Sequence, residues 1–119
     1  MFLGYNTNGL AHHDLFDAVA LLAEAGYRGV AITVDHGALP PCGADNRRQI
    51  DKLRRMLAEF QMRSVIETGA RFLLDPKLKH EPTLISSDGS ARRRRVEFYR
   101  HAIDCAADLG SDCVSIWSG

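Results

Sequence analysis

The chain has 119 residues, 45% hydrophobic and 25% charged, which is the composition of an ordinary globular domain and a length for one domain at most. Fifteen Lys and Arg balance fifteen Asp and Glu, so it lacks the basic footprint with which duplex nucleic-acid binders neutralise phosphates. Three cysteines, Cys42, Cys105 and Cys113, form no C-x-x-C pair and leave one unmatched, which argues against a disulfide framework and a structural zinc site.

A reducing cytosol fits this cysteine usage, and Cys105 and Cys113 read as small buried hydrophobes. No charged-then-apolar leader precedes Phe2, and no apolar run approaches the roughly 20 residues of a membrane span. The expectation is therefore a cytoplasmic protein with no membrane and no nucleic-acid partner.

In chain order, Phe2 to Tyr5 reads as an opening strand. Leu15, Val19 and Leu22 recur at helical spacing, Asp14 is placed to cap that helix, and Gly26 suits its left-handed end. An apolar strand, Val30 to Val34, follows. The second helical stripe is Ile50, Leu53 and Leu57, with Asn46 as cap and Gln49 completing a capping-box-like start. A strand ending at Glu67 comes next. The third stripe is read as Val96, Tyr99 and Ile103, closed by Gly110 and followed by a strand over Cys113 to Trp117. Ala23 to Ile32, Ala58 to Glu67 and Ala107 to Ile116 align without gaps, each reading as helix end, short turn and strand.

The order β-α-β-α-β-α-β predicts an α/β fold with parallel strands, and right-handed crossovers put all three helices on one side of a sheet in sequential order. That is the winding of a (β/α)8 TIM barrel. With four strands and no helix after the last, residues 1–119 read as the N-terminal half of one, a partial barrel domain of first four strands and three helices.

Several segments resemble a known group: Gly4-Tyr5-Asn6-Thr7-Asn8-Gly9, Gly26 to Ala31, the Asp35-His36 exit from strand two, Lys79-His80-Glu81-Pro82-Thr83 and Trp117-Ser118-Gly119. Together they resemble the sugar phosphate isomerase/epimerase group of xylose isomerase-like barrels. The resemblance implies an enzyme moving a proton or hydride between neighbouring carbons of a sugar or sugar phosphate, with a divalent metal of unassigned ligands. No organic cofactor is indicated.

The working face of such a barrel is the carboxyl end of its strands. Glu67 ends a strand there and is the candidate proton-transfer base, with a rim pair to Arg71 as the alternative. His36, after strand two, is the second catalytic candidate; Asp35 beside it suits a turn or cap. Asn6 is the candidate for a sugar hydroxyl, and Asn8 suits either that or an Asx turn. The connection from Thr68 to Ala91 exceeds an ordinary loop; its Arg71, Lys79 and His80 are substrate-binding candidates that would close over a polyhydroxy or anionic ligand.

Trp117 reads either as a sugar-stacking indole or as a packing residue. His12 and His13 read as solvated or backbone-satisfying, His101 as solvated helix surface, and Ser118 has no neighbouring base to make it a nucleophile. Arg92 to Arg95 place four cations at a helix start, unfavourable to the macrodipole unless offset by Asp88 and Glu97 or by a phosphate. Two other functions stay open: a barrel that binds a metabolite without catalysis, and an abasic-site endonuclease. The 119 residues alone are expected to be inactive and to self-associate through open sheet edges.

Overall fold

A computed structural model describes residues 1–117; Ser118 and Gly119, and with them the reading of Ser118, lie outside the described residues. The elements are β1 (Gly4–Asn6), a 3-10 turn (Thr7–Leu10), α1 (Leu15–Glu24), β2 (Gly29–Thr33), α2 (Asn46–Glu59), β3 (Arg63–Glu67), α3 (Gly89–Leu109) and β4 (Val114–Ser115). The strands lie in the order β1-β2-β3-β4, every neighbouring pair parallel. The fold is α/β with parallel strands alternating with helices, the arrangement of a partial TIM barrel.

Alternation along the strands decides which side of the sheet each residue serves. Val30, Ile32 and Ile66 are buried and pack with Leu15, Val19 and Leu22 of α1, Ile50, Leu53 and Leu57 of α2, and Phe98, Ala102 and Leu109 of α3 in one core. Their neighbours point to the opposite face, where Arg63 is exposed and Ala31 and Val65 are half-buried. Register carries the same parity across strands, because Ala31 pairs with Val65, Thr33 with Glu67, and Glu67 with Ser115. Cys113, two residues before Ser115, shares its side and is exposed, which corrects its reading as a buried hydrophobe. Cys105 does lie in the core, where burial pushes its thiol up to about 11 and Asp108 and Asp104 add to the rise.

The helix ends follow local chemistry, with one exception. Asp14 accepts from the Phe16 and Asp17 amides, and Gly26 and Gly110 take left-handed φ of 90° and 70°. Asn46, however, is the first residue of α2 and caps nothing: its Nδ2 donates to the Pro40 carbonyl at 2.7 Å, while Gln49 Oε1 accepts from Leu39 N at 2.8 Å. The loop after β2 folds back over the helix start and takes both side chains.

The third helix corrects two further expectations. Its buried stripe is Arg95, Phe98, Tyr99, Ala102, Cys105, Ala106 and Leu109, leaving Val96 and Ile103 exposed. An arginine occupies the first stripe position, so apolar periodicity alone selects a register one residue off. His101 is half-buried and donates from Nε2 to the Leu39 carbonyl at 2.7 Å, not to solvent.

Ile32→Ala is expected to cost about 2–5 kcal/mol, the range for emptying a fully buried aliphatic site. Ile103→Ala, on the exposed flank of α3, stays within about 0.5 kcal/mol. Urea unfolding followed by far-UV circular dichroism measures both.

Candidate active site

Parity and register together bring Asn6, Thr33 and Glu67 to the open face at the carboxyl end of β1, β2 and β3. Thr33 Oγ1 lies 2.8 Å from Asn6 Oδ1 and 2.8 Å from Glu67 Oε2. A threonine has one hydroxyl proton, so the three oxygens hold a single donor between them, and a second donor, such as a ligand hydroxyl, completes the row. The Asn6 carboxamide is oriented by the Asn8 N–H, which donates to Oδ1 at 2.8 Å and leaves Nδ2 for another partner. Thr7 Oγ1 accepts from Thr33 N at 3.0 Å, tying the 3-10 turn to the end of β2. The alternative partner for Glu67, Arg71, is exposed on the loop, and Glu67 Oε1 instead accepts from Gly69 N at 2.7 Å.

The next residues extend the site toward β4. Thr68 Oγ1 donates to the Ser115 carbonyl at 2.8 Å and accepts from Trp117 N at 3.2 Å, which fixes the chain as it leaves β4. A Cβ on Gly69 would lie 2.6 Å from Glu67 Oε1 and 2.8 Å from Trp117 Nε1. Gly69 is thus the gap through which indole and carboxylate approach each other. Trp117 is 48% exposed and carries the His80 ring stacked on it, with centroids 5.0 Å apart.

The long loop after β3 is held down by α3. Arg95 donates from Nε to the Pro82 carbonyl and from Nη2 to the His80 carbonyl, both at 2.5 Å, while Arg92 Nη1 reaches the Ser86 and Ser87 carbonyls at 2.7 and 2.9 Å. Asp88 caps α3 through Ser90 and Ala91; the Ser90 hydroxyl foremost, then the Ala91 and Ser90 amides, hold its carboxyl below the usual carboxylate range. Glu97 pairs with Arg100 at 2.7 Å, so it does not offset the arginine run as the sequence suggests. Two of the four arginines are used on the loop.

His36, Arg71 and Lys79 are exposed, and no side-chain hydrogen bond or ring contact among the described residues joins them to Glu67. The His36 backbone N–H is held by Asp35 Oδ1 at 2.7 Å, which makes Asp35 a turn residue. A cavity of about 130 Å³ opens at the same end of the sheet between α1 and the β2 exit, lined in part by Thr7, Asn8, His13, Thr33 and Asp35. Sequence reasoning missed Thr33, Thr68 and Gly69. Parity was the available signal for Thr33, since it shares a face with Glu67 once the strands are paired.

The model of the xylose isomerase-like TIM barrel matches residues 19–119. The chain belongs to that family. No curated protein matches it. Proteins of this superfamily are mostly enzymes and often depend on a metal. Among the described residues, no three His, Cys, Asp or Glu side chains converge, and the Asn6–Thr33–Glu67 row offers one carboxylate among neutral oxygens. These residues do not by themselves fit a divalent cation, and no helix among them is long and apolar enough to cross a membrane.

Gly69→Ala is expected to push Trp117 and Glu67 apart with little loss of fold. Because Trp117 is the sole tryptophan, its fluorescence emission reports the displacement, while the far-UV circular dichroism spectrum stays unchanged.

Proposed function

We propose that the chain supplies one half of the site of a cytosolic sugar or sugar-phosphate isomerase or epimerase, within a barrel completed by further strand-helix units. The observation that carries this reading is the row of Asn6, Thr33 and Glu67 on the open face of the sheet, in a chain of this family. Glu67 takes the proton from the carbon beside a sugar carbonyl and returns it to the neighbouring carbon or to the opposite face. Thr33 and Gly69 hold the carboxylate in place, each carboxylate oxygen keeping a lone pair for the substrate proton. Asn6 Nδ2 orients a sugar hydroxyl, and the stacked His80 and Trp117 rings border the sugar.

His36, Arg71 and Lys79 belong to this reading as rim groups that meet substrate when the barrel is complete. The divalent metal expected of such chemistry would take its ligands from beyond the residues gathered here. Among the described residues the outer edges of β1 and β4 pair with no further strand, which favours pairing with more strands, from the rest of a barrel or from a second copy.

A non-catalytic metabolite-binding barrel is the second reading, and one observation favours it: both Glu67 oxygens already accept hydrogen bonds and the residue is buried. The endonuclease alternative gains nothing from the site, where the ends of β1 to β4 carry Asn6, Thr33, Glu67 and Ser115 and no histidine.

The assembled barrel, given divalent metal and a panel of aldoses, ketoses and their phosphates in D₂O, is expected to incorporate deuterium beside the carbonyl. Glu67→Gln slows that exchange by about 10²–10⁴-fold, as for loss of a general base, while the 119-residue chain alone exchanges nothing. Saturating sugar without exchange in the assembled wild-type barrel contradicts the isomerase reading and leaves the binding one.

A further inference from the structure

The first stripe position of α3 presents a cation that the loop does not use up. Arg95 is 5% exposed, yet the ion pairs among the described residues are Arg47–Asp51, Arg63–Asp112 and Arg100–Glu97, none of which includes it. The carbonyls of Pro82 and His80 occupy two of its five N–H groups. Carbonyl dipoles satisfy hydrogen bonds but bring no opposite charge, and a cation withdrawn from water without one is costly. Glu81, the loop carboxylate that lines a neighbouring small cavity together with Arg95, makes no ion pair with it and is engaged by the Ser86 hydroxyl at 2.6 Å and the Thr83 amide at 3.2 Å.

Arg95 also lines a cavity of about 100 Å³ whose other walls are Thr68, Gly69, His80, Thr83 and Trp117. No acidic side chain lines it, whereas a guanidinium, an indole N–H, an imidazole and two hydroxyls do. Gly69 is the shared wall between this cavity and Glu67, whose Oε1 is turned onto the Gly69 amide. A ligand reaching over Gly69 would therefore have one end at Arg95 and the other at the Glu67–Thr33–Asn6 row.

We propose that this cavity binds the oxyanion group, phosphate or carboxylate, of a polyhydroxy substrate, with Arg95 supplying the opposing charge and His80 and Trp117 supplying walls and donors. The inference rests on reading the Glu67 row as the reacting end, and it makes the substrate an anionic sugar derivative. Arg95 is then both tether and ligand: by pinning the His80 and Pro82 carbonyls it holds the imidazole against Trp117, and its remaining N–H groups meet the anion in charge-assisted bonds.

The cavity is made wholly of residues in this chain, so the test needs no turnover. Inorganic phosphate is titrated into the isotopically labelled 119-residue chain at constant ionic strength, with acetate in a parallel arm to separate phosphate from carboxylate. The Trp117 indole N–H and Arg95 Nε–H resonances are expected to shift saturably in at least one arm. Arg95→Met, which keeps an unbranched apolar stem beside Phe98 and Tyr99, weakens that binding by about tenfold or more. His80→Ala, which keeps the backbone carbonyl held by Arg95, weakens it too and serves if Arg95→Met does not fold. No saturable shift in either arm, or unchanged affinity in the variants, overturns the proposal and leaves Arg95 a loop tether. Isomerisation of neutral sugars by a barrel that binds neither anion would overturn this inference alone; anion binding at Arg95 in a barrel that exchanges no proton would overturn the isomerase reading alone.

Discussion

Everything at the working end of this molecule depends on the parity of a parallel sheet. In each strand alternate residues face the helices, and the register carries that choice from strand to strand: Thr33 lies opposite Glu67, and Glu67 opposite Ser115. The hydrophobic core takes Val30, Ile32 and Ile66, which commits Thr33 and Glu67 to the other face. A one-residue slip of β3 would bury the wrong set of side chains, so the burial of Ile66 is what keeps the carboxylate in the row.

The same constraint explains why a polar cluster lies beside an apolar core at modest cost. Glu67 and Thr33 are both buried, but each polar atom meets another: hydroxyl with carboxylate, carboxylate with backbone amide, carboxamide with backbone amide. Buried polar groups are tolerated when they are paired in this way. The long loop obeys a different economy. Having no ladder of its own, it hangs from α3 through Arg92 and Arg95, whose donors reach the carbonyls of His80, Pro82, Ser86 and Ser87.

The sequence made much of this legible. Strand-helix alternation, the Asp14 cap and the Gly26 and Gly110 helix ends could be read because each depends on neighbours within a few residues. The stripes of α1 and α2 were legible for the same reason, being unbroken by charge. What escaped depended on contacts distant in the chain. The α3 register was misread because Arg95 fills a core position, its head held by carbonyls thirteen and fifteen residues away. His101 and Asn46 were misread because the loop around Leu39 and Pro40 recruits them, and Cys113 because its strand faces the open side. At the candidate site, Glu67, Asn6, His80 and Trp117 were selected by position at strand ends or on the loop, whereas Thr33, which joins two of them, has no local signature at all.

A double-mutant cycle on Thr33→Val and Glu67→Met, read by urea unfolding of the two single variants, the double variant and the parent, addresses the row most directly. If Thr33 and Glu67 meet on one face as the register places them, the pair couples by about 0.5–3 kcal/mol, the range for residues in one hydrogen-bond network. Effects that add within about 0.5 kcal/mol, the behaviour of distant independent sites, would mean that the two side chains do not touch and that the site assembled on them does not exist.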